Sequence, residues 1–210
     1  MLTNKEILES MESAEIIISP FNMEQLEDCS YNLAIGHHIA RYRPQRQVDI
    51  HEPIPAFDPT LYDPAQLFEL EYCASEISIL PGERILGHTV EFAGGVVGIN
   101  THLQAKSTTQ RVGLSVCLDA GFGNVGYFNR WTLEISNHSP IKLVLPVGTL
   151  VAQIIFHRVG PLLANTLYHE RGNYQKTNNL DTLRQQWCPS QMLPKRMKVQ
   201  SGMSQIPSYK

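Results

Sequence analysis

The period-two alternation in residues 131–137, WTLEISN, is the feature that most constrains the fold. Trp131, Leu133 and Ile135 fall on one face of an extended segment, and the polar residues between them fall on the other. This pattern predicts a strand with one face in a core and with Glu134 on the opposite face. Other short apolar segments are separated by Pro and Gly, which number 13 and 14 in the chain, so the sequence favours an all-β sandwich or barrel.

The stretch 104–137 around that strand predicts a strand, a glycine-rich turn and a second strand. An antiparallel return through the turn would bring Arg111 and Glu134 onto neighbouring strands. Lys106, Ser107 and Thr108 offer charge and hydroxyl groups that suit phosphate oxygens. Two interpretations stay open at this point: a site that holds an anion and moves a proton, or a surface ion pair on a solvated strand face.

Outside this stretch, the N-terminal part of the chain has clear local signals. Residues 3–12 predict a short helix, because Thr3 and Glu6 form a T-x-x-E capping box. Residues 29–43 predict two strand pieces broken at Gly36, and residues 44–64 predict a long excursion rich in Pro and Asp.

The composition changes from Leu167 onward, which predicts a segment that folds over the domain. We therefore expect one domain over residues 1–188, with a lid at about 166–180. Residues 189–210 contain basic residues and no acidic ones, which predicts a poorly packed basic tail. A small basic patch that contacts a partner is the alternative for this tail.

Charge and cysteine content exclude several classes of protein. The formal net charge of −3 provides no basic field for nucleic acid or a membrane surface. The longest apolar runs fall far below the ~18 residues of a membrane span. The cysteines are far apart and form no C-x-x-C pair, which predicts reduced thiols in a cytoplasmic protein. They are Cys29, Cys73, Cys117 and Cys188.

Three familiar motifs are absent or misleading. Gly121, Gly123 and Gly126 spell G-x-G-x-x-G, but the aromatic and β-branched segment after them predicts a strand where a dinucleotide site needs a helix. The two halves of the zinc deaminase signature and the G-x-S-x-G elbow of serine hydrolases are not present. His37 and His38 are adjacent, so on a strand they face opposite ways and cannot share a metal ion.

The remaining motifs resemble the dCTP deaminase branch of the trimeric dUTPase superfamily. The segment AKSTTQRVGL (105–114) is similar to the family's G-[RK]-S-[ST]-x-x-R-x-G-L, and AGFGNVGYFNRWTLEISN (120–137) is similar to A-G-x-x-D-P-G-[FYW]-x-G-x-x-T-L-E-L-x-N. Supporting similarities occur at CSYNLAIG (29–36), ILPGERILGHTVEF (79–92) and LPVGTLVAQIIF (145–156).

This resemblance implies a distorted jelly roll and a homotrimer with active sites between subunits. It implies hydrolytic deamination of dCTP to dUTP and ammonia, with Mg²⁺ carried by the triphosphate and no catalytic zinc. Glu134 would be the general acid and base, and Ser107 and Arg111 would position the water and the base. The substrate-binding residues that it implies are Lys106, Ser107, Thr108, Thr109, Gln110, Arg111, Ala120, Phe122, Asn124, Thr132, Leu133, Glu134, Gln153, Tyr168 and Tyr174.

The sequence departs from the family pattern in the hairpin and in the lid. Asn124 stands where the family has an aspartate, and a neutral amide cannot act as a base, although it can hydrogen-bond a sugar hydroxyl. The lid pattern G-K-Y-x-x-Q appears as GNYQKT at 172–177. Two alternatives therefore remain: a pyrophosphatase of the dUTPase kind, against which Asn124 counts, and a non-catalytic nucleotide-binding trimer.

Overall fold

The computed structural model describes residues 1–43, 56–162 and 167–199. Within these ranges the chain forms twelve strands and four short helices. The strands are β1 (Ile16–Ser19), β2 (Tyr31–Ala34), β3 (His38–Tyr42), β4 (Phe68–Tyr72), β5 (Glu76–Ile79), β6 (Arg84–Gly95), β7 (Ile99–Ala105), β8 (Leu114–Ser115), β9 (Phe122–Gly123), β10 (Phe128–Asn137), β11 (Leu143–Pro146) and β12 (Leu150–Arg158). The helices are α1 (Asn4–Glu12), α2 (Ser107–Arg111), α3 (Tyr168–Arg171) and α4 (Leu180–Gln186).

The strands pair antiparallel in three sheets, which confirms the all-β, jelly-roll prediction. The largest sheet has the order β4-β3-β6-β10-β8, with β1 also paired to β6. The second has the order β2-β12-β7-β9, and β11 pairs with β5. The core lies between the two larger sheets, where fully buried side chains such as Leu33, Ile85, Leu133, Ile154 and Phe156 form one cluster.

Most of the local predictions for the N-terminal part are confirmed. The side chain of Thr3 accepts from the Glu6 backbone N–H, and the Glu6 carboxylate accepts in return from Thr3, as the capping box requires. The strand break at Gly36 has a packing reason. A Cβ atom there would lie 2.0 Å from Cε1 of His88, so the chain needs glycine where it crosses that ring. Residues 44–55 of the predicted excursion lie outside the described residues.

The prediction of a simple hairpin over residues 104–137 is wrong in one respect. Ser107–Arg111 forms the helix α2, held by backbone hydrogen bonds such as Gln110 N–H to the Lys106 carbonyl at 3.1 Å. Gly113 then takes a φ of +87° and turns the chain into the two-residue strand β8. Arg111 therefore ends a helix and does not lie on a strand beside Glu134.

The C-terminal segment covers the outer face of the six-stranded sheet. Leu183 of α4 packs on Phe92 and Phe128, and Leu193 packs on a small cluster that includes Phe68. Met192 is 4% exposed. Residues 189–193 thus pack more closely than the basic tail predicted from composition, because this face of the sheet offers apolar surface.

Candidate functional site

Strand β10 places Glu134 on the edge of a cavity. The flanking Leu133 and Ile135 are fully buried, so the carboxylate points away from the core, as the alternation predicts. The Glu134 side chain is 27% exposed, and its Oε2 lies 3.9 Å from Nη2 of Arg84 on β6. Sequence reasoning missed Arg84, because its approach depends on the register that places it opposite Ser136.

A cavity of about 580 Å³ opens in front of Glu134. Its lining brings together many of the predicted base- and sugar-binding residues: Ala120, Phe122, Asn124, Thr132, Glu134, Tyr168 and Tyr174. The rest of its wall is largely apolar and includes Met192, Pro194 and Met197 from the C-terminal segment. A partly exposed carboxylate in a mostly apolar cleft is placed where it can exchange protons with a bound ring.

The predicted phosphate-binding residues line a different cavity, of about 810 Å³. Ser107, Gln110, Arg111 and Gln153 all contribute to it, and Phe122 lines both cavities. A single chain therefore does not bring Ser107 and Arg111 into the cavity of Glu134. Cys117 lines this second cavity, where burial and then the nearby Glu134 charge raise the pKa of its thiol to about 11.

Four predicted substrate-binding residues line neither cavity. Leu133 is fully buried and Thr109 is nearly so, and neither is open to a ligand in the single chain. Lys106 donates from Nζ to Oδ1 of Asn32 at 2.6 Å, which ties it to β2. Thr108 is exposed on α2.

The lid is fastened to the hairpin before β10 by Gln175, a residue that the motif comparison did not single out. Gln175 is 2% exposed. Its Oε1 accepts from the Phe128 N–H at 2.8 Å, and its Nε2 donates to the Gly126 and Thr177 carbonyls at 2.9 and 3.0 Å. The change of composition from Leu167 onward predicted a covering segment with a lid at about 166–180, but these hydrogen bonds are visible only in three dimensions.

Aromatic packing holds Tyr168 of the lid against Tyr127 in the wall of the Glu134 cavity. The Tyr127 ring packs edge-on against Trp131 and against Tyr168, each with centroids 5.0 Å apart. Burial raises the pKa of Tyr127, and it also raises that of Tyr168. Both phenols therefore stay neutral near neutral pH and can serve as hydrogen-bonding groups beside a ligand.

The glycine motif serves the loop and strands before β10. Phe122 and Gly123 form β9, and Gly126 takes a φ of +88° before the chain enters β10. Because a strand follows, the rejection of a dinucleotide-binding motif is confirmed. Across the described ranges, no three His, Cys, Asp or Glu side chains are grouped so that they could hold a metal ion. The helices described there are too short or too polar to cross a membrane.

Comparisons with known proteins identify a family for this chain. A family model described as "dCTP deaminase-like" matches residues 1–159. A Clostridium botulinum protein named "dCTP deaminase, dUMP-forming" is 32% identical over 180 residues, which cover 86% of this chain and 93% of the relative. A Leptospira biflexa protein of the same name is 31% identical over 185 residues, which cover 86% of this chain and 92% of that relative.

A solved structure supports the fold. The crystal structure of 2′-deoxycytidine 5′-triphosphate deaminase from Agrobacterium tumefaciens matches 78% of this chain with a TM-score of 0.56 and 19% identity. This chain spans about half the length of that protein, with 49% of it covered.

Proposed function

The chain belongs to the dCTP deaminase-like family, and on that premise we propose that it catalyses the hydrolytic deamination of dCTP. The observation that carries the proposal is the position of Glu134. Its carboxylate is held on a rigid strand, is partly exposed in a largely apolar cavity, and faces the predicted base-binding residues of the hairpin and lid. A fold alone does not require a carboxylate at that position.

In the proposed reaction, Glu134 accepts a proton from a water molecule as the water oxygen bonds to C4 of cytosine. Glu134 delivers this proton to N3, then takes the second proton from the new C4 hydroxyl and passes it to the exocyclic amino group. The C4–N bond breaks, ammonia leaves and the uracil ring remains. A positioned carboxylate of this kind contributes about 10²- to 10⁴-fold to such a proton transfer. Tyr168 and Tyr174 would close over the nucleotide and exclude bulk water.

We propose that the complete site forms between subunits of a homotrimer. Ser107 and Arg111 line a cavity separate from that of Glu134 within one chain. Docking α2 of a neighbouring copy at the mouth of the Glu134 cavity would bring its phosphate-binding residues to the same nucleotide. This arrangement would place Ser107 and Arg111 where they can hold the water and the triphosphate.

We propose dUTP as the product, which differs from the product in the names of the relatives. Those names specify dUMP, so the relatives combine deamination with loss of two phosphates. Asn124 lines the Glu134 cavity at the position of the family's aspartate. A carboxamide cannot take a proton from water, so the side chain at position 124 cannot supply the base for the second step. A combined reaction to dUMP remains the alternative that the names favour.

The proposed Mg²⁺ would arrive on the triphosphate. Within the described residues there is no cluster of three or more potential side-chain ligands. Phosphate oxygens suit Mg²⁺, which commonly binds proteins through substrate phosphates and few carboxylates. Its contribution would be to neutralise charge on the phosphates while the side chains orient the base.

The direct test is to incubate the purified protein with dCTP and Mg²⁺ and to separate the nucleotide products. We expect dUTP and ammonia from the wild type. We expect Glu134→Gln to lose at least about 10²-fold in kcat, while Glu76→Gln, which changes an exposed carboxylate on β5, keeps full activity. Nucleotide binding without turnover in the wild type would contradict the proposal and favour a binding trimer.

A further inference from the structure

Arg130 on β10 lies outside the proposed reaction and has an unusual environment. Its guanidinium lies 4.6 Å from the ring centroid of Trp187 and 5.1 Å from that of Phe92. Its Nε is buried without a hydrogen-bond partner. When a guanidinium stacks on aromatic rings, its N–H donors still point outward in the plane of the guanidinium, where they can bind an anion.

Arg41 is a second partly buried arginine, and unlike Arg130 its guanidinium has hydrogen-bond partners. Arg41 donates to Glu71 at 2.7 Å, to Glu83, and to the Ser78 carbonyl at 2.7 Å. Burial opposes its charge, but these hydrogen bonds and carboxylates outweigh burial and raise its pKa. Arg130 has no such partner in the described part of the chain, and burial lowers its pKa.

A cleft of about 370 Å³ begins at Arg130. Its lining includes Ser19, Arg184 and Trp187, and it shares no residue with the cavity of Glu134. Arg184 reaches the cleft from α4, donates to Oγ of Ser19, and forms an ion pair with Asp181 at 3.0 Å. Two guanidinium groups, a hydroxyl and an indole thus meet at one opening.

Within the described residues, the carboxylates near the cleft leave Arg130 without a direct partner, since Asp181 pairs with Arg184. Glu91 is the carboxylate that acts on Arg130 from a distance, but it accepts hydrogen bonds from Gln25 and from the Ala34 N–H. His38 and His88 lie on the same face of the sheet, and burial lowers the pKa of both. Near neutral pH both histidines are therefore neutral, so they neither add positive charge to the cleft nor compete with the arginines for an anion.

We propose that the cleft between Arg130 and Arg184 is an oxyanion-binding site distinct from the proposed active site, and that it takes a phosphate group. A guanidinium stacked on two aromatic rings, with a second arginine and a hydroxyl nearby, offers charge-assisted donors that suit a tetrahedral oxyanion. The phosphate comes either as the free ion or on a nucleotide whose base packs on Trp187.

Trp187 provides the readout, since it contacts the guanidinium that would bind the anion. The chain has two tryptophans, and the other, Trp131, is 4% exposed. The full-length protein carrying Arg111→Gln, which weakens phosphate binding at the other cavity, is titrated with inorganic phosphate and, separately, with dUMP at constant ionic strength. We expect saturable quenching that Trp187→Phe abolishes. Binding of dUMP about tenfold tighter than phosphate would identify the nucleotide as the source, and equal affinity would identify the free ion.

Adding Arg130→Gln should weaken binding about 10- to 100-fold, because it removes charge-assisted hydrogen bonds. Arg184→Gln changes an exposed side chain and should also weaken binding, which guards against a folding effect at Arg130. Arg158→Gln, whose partner is Glu15, is the matched control and should bind normally. The proposal is overturned if neither ligand gives a saturable signal, or if Arg130→Gln binds as tightly as its parent.

Discussion

The ring of His88 is neutral in the folded protein chiefly because it is buried, and both of its nitrogens have fixed partners. Nδ1 donates to the Thr89 carbonyl at 2.8 Å, and Nε2 accepts from the His38 N–H at 3.2 Å. Burial lowers its pKa from 6.5 to about 4. The unfolded chain therefore binds an extra proton between these values, so stability contributed by the neutral ring is present above pH 6.5 and is lost as the pH falls to about 4.

We expect the wild type to lose about 3 kcal/mol through this residue across that range. Urea unfolding at a series of pH values measures the effect. His88→Gln should be less stable near pH 7 but should show a flatter dependence on pH. His102→Gln, which changes an exposed histidine on β7, should keep the wild-type slope; an unchanged slope in His88→Gln would contradict the assignment.

Asn124 gives a second prediction at the scale of a single residue. Asn124→Asp restores a carboxylate at the position where the family motif has one, in the cavity that contains Glu134. If the missing base is what prevents loss of pyrophosphate, this variant should release dUMP from dCTP while the wild type releases dUTP. Product analysis at matched protein concentration decides it, with Asn124→Ala as the control. Release of dUMP by the wild type would show that the base lies elsewhere.

Single residues could be predicted where a local pattern determines their environment. The alternation around Glu134 was enough to place its side chain outside the core. Arg84 could not be predicted, because its approach to Glu134 depends on the pairing of β6 with β10. Likewise, nothing in the sequence around Gln175 indicates that its side-chain amide would accept a hydrogen bond from the Phe128 N–H, 47 residues earlier in the chain.

At the scale of one element, the lid depends on Gln175. Gln175→Ala removes three hydrogen bonds and leaves a buried N–H of Phe128 and two carbonyls without these partners. A loss of about 1–3 kcal/mol for such groups should loosen residues 167–188 before the sheets unfold. We expect faster proteolytic cleavage in the lid and a raised KM for dCTP, with little change in the melting temperature of the sheets. Gln185→Ala, at an exposed position on α4, should behave as the wild type.

Elements were predictable in proportion to the strength of their local signal. The capping box of α1 is a local feature, and the structure has it. The break at Gly36 was signalled by the glycine itself, although its packing reason, the ring of His88, lies far away in the sequence. The helix α2 was missed because its five residues, STTQR, are too few to show a helical periodicity. They also include two β-branched threonines, which do not favour a helix. The packing of residues 189–193 was missed because it depends on an apolar sheet face built by strands far away in the sequence.

At the scale of the whole molecule, the separation of the two cavities leads to the sharpest test of assembly. A site shared between subunits takes Glu134 from one copy and Ser107 and Arg111 from the next. Glu134→Gln and Arg111→Gln should each be inactive alone, yet a trimer that contains both has interfaces where every catalytic group is intact. Random mixing in a closed ring leaves about a quarter of the sites intact, so co-expression of the two variants should restore about that fraction of the wild-type activity.

The measurement is the rate of dCTP deamination by the co-expressed mixture. The controls are each variant alone, and separately purified Glu134→Gln and Arg111→Gln trimers mixed under conditions in which subunits do not exchange. Co-expression of Glu134→Gln with Ser107→Ala should also restore activity, since both serine and arginine come from the same copy in this arrangement. Co-expression of Ser107→Ala with Arg111→Gln should restore none, because no interface then has both groups on one α2. The shared site would be contradicted if Ser107→Ala with Arg111→Gln restored activity, or if Glu134→Gln with Arg111→Gln restored none. Either result would mean that the catalytic residues are not divided between subunits as the two separate cavities of one chain predict.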